Sequence, residues 1–229
     1  MNDIDVNEFI DETEELTFIQ KVVGMVSDPK PAFESIKNSP KIMAIYLFTV
    51  LFSLIPIVWN YFDGSAKELI LEQFKESGQP ITEELINVTT IGGVVGGIVA
   101  ITLLPFLVAF FYHIFAMIQS HTGYKKTLAI YLYSSIVSLI GQWIILIVTK
   151  FSDMTIAFSP AMFLDPVSVS PILYAIIASL DLFVFWTMFV MFVGFRSVHD
   201  MNKKEATLAV AAPYVLSIII GIVLIALFT

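Results

Sequence analysis

The chain has 229 residues, of which 57% are apolar, with a mean hydropathy of +0.85 and a formal net charge of −8. Soluble domains contain roughly 45–50% apolar residues, so this composition indicates a single membrane domain. The chain contains no cysteine, which excludes disulfides, thiolate metal sites and cysteine nucleophiles, and no stretch is basic enough to predict binding of nucleic acid.

The residues before the first apolar run divide into two segments. Residues 1–17 hold seven carboxylates and no basic side chain, which predicts an acidic disordered tail, with a docking tail as the alternative. Residues 18–41 carry apolar side chains at helical spacing and are interrupted at Asp28 and Pro29. Phe18, Ile19, Val22, Val23 and Val26 form the apolar face of the first part, and Lys21 and Ser27 are expected to point away from it. We predict an interfacial amphipathic segment on the cytoplasmic membrane surface. The lysines expected to meet lipid headgroups are Lys30, Lys37 and Lys41.

Residues 42–229 contain five apolar runs that are long enough to cross a hydrocarbon core of roughly 30 Å. The predicted spans are residues 42–59, 88–118, 127–149, 172–194 and 208–228. Pro105 lies near the middle of the second and longest run, where it predicts a kink. The predicted fold is therefore an all-α membrane protein with five transmembrane helices, preceded by the short amphipathic segment. The polar residues 60–87 predict a surface helix that packs over the bundle, or else binds a partner.

The basic residues are distributed unequally between the two sides of this layout. Nine of the twelve fall in the amino-terminal segment, in the turn between the second and third spans, or in the turn between the fourth and fifth spans. The other three fall on the opposite side of the membrane. Short basic loops stay in the cytoplasm. We therefore predict a multi-pass protein with its amino terminus in the cytoplasm and its carboxyl terminus outside, in the plasma membrane if the source is bacterial.

Four glycines lie in the first half of the second span, as two overlapping GxxxG pairs. They are Gly92, Gly93, Gly96 and Gly97. Small residues four apart allow close approach of another helix, so we predict helix packing here, within the monomer rather than across a dimer.

One carboxylate, Asp181, falls near the middle of the fourth predicted span. A charge at that depth is costly and normally finds a partner in the bundle. We predict a protonated Asp181 hydrogen-bonded to Gln142 or to a hydroxyl group at similar depth, that of Ser138, Thr102 or Ser217. The alternative is a titrating group in a proton or cation path. His113, His121 and His199 show no metal-type spacing, so no metal site, cofactor or catalytic residue is predicted.

Three stretches together resemble one known family. Residues 29–36 are similar to its opening P-x-x-A-F-x-x-I before the first span. Residues 123–128, followed by Tyr133 and Ser134, resemble its glycine turn leading into a span. Trp186 with residues 194–196 and 203–209 resembles its Trp-bearing span, short inner turn and small-residue start of the last helix. From about residue 26 to its end, the chain therefore resembles the Yip family, the Ypt/Rab-interacting-protein domain.

The resemblance implies five helical spans and no known catalysis. Eukaryotic members bind small GTPases and act in vesicle traffic, while some bacterial members accompany ABC-type exporters. The chain lacks the long cytosolic amino-terminal domain of eukaryotic members, and its lysine- and isoleucine-rich, almost arginine-free composition is typical of a bacterium with AT-rich DNA. The family-like residues predict a cytoplasmic partner surface, with lipid-facing positive charge as the alternative. Its members are Pro29, Phe33, Gly123, Arg196, Lys203 and Lys204.

We therefore predict a non-enzymatic scaffold, assembly factor or accessory subunit of a membrane complex, such as an ABC-type exporter. One alternative is a small-solute or proton carrier that uses Asp181. A second alternative, for a eukaryotic source, is a vesicle-traffic factor that binds small GTPases. The expected partners are the lipid bilayer and an integral membrane protein, with a second copy of the chain as a further candidate and no nucleic acid.

Overall fold

A computed structural model describes residues 16–76, 78, 81–119, 123–152, 156–165 and 168–228. These residues form α-helices and one short 3-10 helix, Pro160–Phe163, and no strand occurs among them. The helices are α1 Phe18–Ser27, α2 Pro29–Asn38, α3 Ile42–Phe62, α4 Ser65–Glu76, α5 Glu83–Gln119, α6 Tyr124–Ser152, α7 Pro171–Ala178, α8 Leu182–Val198 and α9 Lys203–Phe228. The predicted acidic tail lies almost entirely outside the described residues, and so does His121.

Four of these helices, α3, α5, α6 and α9, are each long and apolar enough to cross a membrane. The fourth predicted span is instead broken into α7 and α8, which meet at a bend of 50° and together form the fifth candidate. The prediction of an all-α membrane protein is confirmed, with four spans or, if the bent pair is one span, five.

Helix α6 lies at the centre of the bundle and contacts α1, α2, α3, α5 and α8, while α9 packs against α5 and α8. Within its most apolar window, 39% of the residues of α6 are buried, against 6% for α5. Most of α5 therefore faces the surroundings of the bundle. We call the end where α1, α2 and the turn at residues 199–202 lie the amino-terminal end, and the opposite end, with α4, the far end.

The short helices α1 and α2 begin where the sequence predicts. Thr17 and Gln20 form a capping box at α1, and Asp28 caps α2 with Pro29 in its first turn. Both helices pack against the bundle, α1 on α6 and α2 on α8. Their buried apolar side chains, each no more than 1% exposed, are Met25, Ala32, Phe33 and Ile36.

This packing differs in part from the arrangement that the sequence predicts. Ile19 and Val23, which the spacing places on the apolar face, are 72% and 58% exposed, whereas Met25 of α1 and Phe33 of α2 face the protein core. Lys21, expected to point away, is 3% exposed. Of the lysines assigned to lipid headgroups, Lys37 instead pairs with Asp200 of the bundle.

Candidate functional site

The amino-terminal end carries a groove between α2 and α8 of about 580 Å³. Its charged lining residues are Lys30, Glu34, Lys37, Arg196 and Asp200. The Nζ atom of Lys37 lies 2.5 and 2.7 Å from the two carboxylate oxygens of Asp200, and this hydrogen bond lowers the pKa of Asp200 below its usual value. The groove is therefore held by an ion pair that joins α2 to the turn after α8.

The predicted partner surface is only partly at the surface. Arg196 lies in the groove over the Phe192 ring, with 5.9 Å from its guanidinium carbon to the ring centroid. Lys203, Lys204 and Gly123 are exposed, and Pro29 is half-buried at the start of α2. Phe33 is fully buried, so it is wrong as a contact residue for a partner.

Phe33 of α2 is buried because its ring packs on α8 at Gly194, which has no side chain. A Cβ atom at Gly194 would lie 2.9 Å from Phe33 Cζ and 2.7 Å from Ile130 Cγ2, closer than real contacts allow. The absence of a side chain at Gly194 therefore lets α2 and α6 both approach α8. Of the family-like residues at this end, Phe33 and Gly194 therefore belong to one core.

Two histidines that the sequence left unassigned are joined through a threonine at the same end. Thr127 Oγ1 lies 3.1 Å from His113 Nδ1 and 3.1 Å from His199 Nε2, and all three side chains are buried. Burial first, and then the charge of Lys126 and the neighbouring His113, lowers the pKa of His199 to about 4. Sequence spacing gave no signal for this contact, because the residues lie on α5, on α6 and in the turn after α8.

Asp181 lies at the break in the fourth span. It is the N-cap of α8, and its Oδ1 accepts hydrogen bonds from the backbone N–H groups of Phe183 and Val184, at 2.8 and 3.0 Å. Other freed backbone groups also find partners, since Leu182 N–H donates to Phe158 O and the Tyr214 hydroxyl donates to Ser179 O. The predicted partners Ser138 and Gln142 are wrong, because a helix terminus supplies donors that an unbroken helix would lack.

Ser138 and Gln142 lie apart from Asp181. The Ser138 hydroxyl is 2.7 Å from the hydroxyl of Thr187 on α8, whereas the Gln142 side chain makes no hydrogen bond to a described residue. Both line a cavity between α3, α5, α6 and α8. The structure thus brings two of the three predicted polar residues together and separates the third.

The glycines of α5 do not pack inside the chain as predicted. A Cβ atom at Gly92, Gly93 or Gly96 would meet nothing within 4 Å among the described residues. Of the four glycines, only Gly97 packs on another helix, since a Cβ atom there would lie 3.0 Å from Ile57 Cδ1 of α3. Close packing within the monomer is therefore wrong for three of the four. These three glycines form an open face of α5.

The described residues contain no group of three or more histidine or carboxylate side chains placed to hold a metal ion. The groups that could act chemically are instead dispersed, with Asp181 engaged as a helix cap and the two histidines bonded to Thr127. These arrangements stabilise helix ends and contacts between helices.

The comparisons with known proteins agree with this architecture. The family model of the Yip1 domain matches residues 23–225. The chain is also similar to "Membrane protein YknW" of Bacillus subtilis (strain 168), with 21% identity over 183 residues that cover 79% of each chain. No solved structure matches the chain.

Proposed function

The chain belongs to the Yip1 domain family, and from this premise we propose that it is a non-catalytic membrane subunit that binds an integral membrane partner through α5. The role is that of a scaffold, assembly factor or accessory subunit of a membrane complex. The observation that carries this proposal is the open glycine face of α5, formed by Gly92, Gly93 and Gly96.

Two physical arguments support a helix as the occupant of this face. A glycine within a helix costs about 1 kcal/mol relative to alanine, and here no contact inside the chain offsets that cost. Close approach of helix backbones is favourable in lipid because it adds van der Waals contact where hydrophobic burial adds nothing. The low burial of α5 leaves room for a neighbouring helix along this face.

A helix of a different membrane protein is the proposed occupant. The support for this choice is the family resemblance, which implies that some bacterial members accompany ABC-type exporters. The carrier alternative loses its main support because Asp181 is engaged as a helix cap. The vesicle-traffic alternative requires a eukaryotic source, whereas the relative reported above is bacterial.

The first prediction tests the glycine face. Gly93→Leu and Gly96→Leu add side chains in open space, so both variants should keep the melting temperature of the native protein. They should reduce the partner recovered by co-purification from native membranes about tenfold, which corresponds to a loss of about 1.4 kcal/mol.

Gly221→Leu is the matched control, because Gly221 lies on α9 and also has nothing within 4 Å. This variant should retain both stability and partner. Native levels of every partner with Gly93→Leu and Gly96→Leu would contradict the proposal. Loss of self-association alone would show that the occupant is a second copy of the chain.

A further inference from the structure

A half-open cavity of about 500 Å³ lies between helices α3, α5 and α6. It is formed by the central parts of α3, α5 and α6, with Thr187 contributed by α8, and Pro56 and Pro105 lie on its walls. Its volume is within the range of sites that hold small molecules. Its polar lining residues are Thr49, Ser53, Tyr131, Ser135, Ser138, Gln142 and Thr187.

Several of these polar groups are already engaged within the protein. Thr49 and Ser135 donate to backbone carbonyls of their own helices, and Ser138 pairs with Thr187. By contrast, the side chains of Ser53, Tyr131 and Gln142 make no hydrogen bond to any described residue. Gln142 is exposed and Ser53 and Tyr131 are half-buried, so their polar atoms are open to the space of the cavity. Unpaired amide and hydroxyl groups cost several kcal/mol in hydrocarbon, so within a membrane these three groups require water or a ligand.

The cavity continues toward the far end of the bundle. Pro56 and Gln142 line both this cavity and a second cleft, of about 710 Å³, between α3, α4 and α6. The cleft is lined by Asp63, Glu68 and Lys150 among others. Lys150 Nζ lies 2.5 Å from Asp63 Oδ2 and lowers the pKa of Asp63 to about 2. These ionised groups keep the cleft hydrated and give water-soluble molecules a path inward.

The lining of the cavity restricts the chemistry of its occupant. No charged side chain lines it, so an ion would lie in a low-dielectric site without a counter-charge. A hydrocarbon would leave Gln142 unpaired. The remaining walls are apolar, with Ile57, Ile101 and Leu104 among them.

We propose that this cavity is a binding site for a small uncharged amphipathic molecule, which enters from the far end through the cleft. Its polar group bonds to Gln142, Ser53 and Tyr131, and its hydrocarbon part lies against the apolar walls. This site does not depend on the glycine face of α5, because Gly92, Gly93 and Gly96 do not line the cavity.

The absence of native cysteine makes access to the site measurable. N-ethylmaleimide reacts with the thiolate, which forms only where water reaches the thiol. In nanodiscs, the Ser53→Cys variant should react at least about tenfold faster than Leu51→Cys, whose side chain is 60% exposed on the same helix and would face lipid. Ser135→Cys, which places the thiol on the α6 side of the same cavity, should also react faster than Leu51→Cys. Equal rates at Ser53 and Leu51 would overturn the proposal.

Protection by a defined probe tests binding. 1-Hexanol, which is uncharged and carries one hydroxyl group, should slow modification of Ser53→Cys several-fold, whereas hexylammonium and hexanoate at equal concentration should not. Adding Gln142→Leu should remove the protection while the thiol still reacts. Protection that survives Gln142→Leu, or modification that hexanol does not slow, would show a water-filled or lipid-filled space and would overturn the proposal.

Discussion

At the scale of single residues, the buried His113, Thr127 and His199 side chains limit the protonation states that the amino-terminal end can accept. A threonine hydroxyl carries one proton, so Thr127 can donate to one imidazole nitrogen while it accepts an N–H from the other. When His199 is protonated, its Nε2 atom becomes a donor toward Thr127 and the ring charge is buried. Lys126 and His113 oppose that charge, and only Asp200 favours it.

The second prediction is a loss of stability in acid that depends on His199. Its pKa falls from 6.5 to about 4 on folding, so the unfolded chain binds the proton more tightly. The free energy of unfolding should therefore be highest above pH 6.5, where His199 is neutral in both the folded and the unfolded chain. It should fall by up to about 3 kcal/mol as the pH falls from 6.5 toward 4. The melting temperature in detergent should fall across that range. His199→Gln, which cannot ionise, should flatten the fall, and an unchanged pH profile in this variant would contradict the argument.

At the scale of elements, the docking of α2 depends on shape rather than on charge. Phe33 lies against Gly194, where any side chain would clash, and Ile36 and Ala32 are buried beside it in the same core. The ion pair of Lys37 with Asp200 is partly exposed, and such pairs contribute at most about 1 kcal/mol. Apolar packing therefore holds α2 on the bundle.

The third prediction follows from this packing. Phe33→Ala should lower the free energy of unfolding by about 3–5 kcal/mol, because it removes a fully buried ring from a close-packed contact. Ile19→Ala on α1 is the control, since that side chain is 72% exposed and its loss should cost little. Thermal denaturation in detergent measures both. Similar melting temperatures for the two variants would show that α2 is not part of the stable core.

The sequence predicted where the amino-terminal helices lie but not which side of each is buried. Helical spacing identified an apolar face on residues 18–27, yet Ile19 and Val23 point away from the core while Lys21 and Met25 face it. Periodicity records how side chains are arranged around a helix, and it does not distinguish a protein core from lipid. For the same reason Gly92, Gly93 and Gly96 of α5 were assigned a neighbour inside the chain that the described residues do not supply.

At the scale of the whole molecule, the apolar runs were sufficient to predict the fold class, because hydropathy and length are local properties of the chain. The break before α8 was not predicted, because residues 172–194 contain no proline. The available signal was Asp181, which lies within this apolar run. A carboxylate within an apolar run can mark a helix N-terminus as well as a buried polar contact. Only the three-dimensional structure distinguishes these two possibilities, because it shows that Asp181 accepts hydrogen bonds from two backbone N–H groups at the start of α8.

The fourth prediction concerns orientation in the membrane, which is predicted by the excess of lysine and arginine at the amino-terminal end. Single cysteines at Gln73 and Ser168, both exposed and both predicted to lie on the outer side, should react with a membrane-impermeant thiol reagent in intact cells. Cysteines at Ser39, Gly123 and Lys203, exposed at the amino-terminal end, should react only after permeabilisation. The reverse pattern would invert the orientation. The bent pair is tested at the same time, because a re-entrant α7 and α8 would leave Ser168→Cys and Lys203→Cys on one side of the membrane, whereas a crossing span places them on opposite sides.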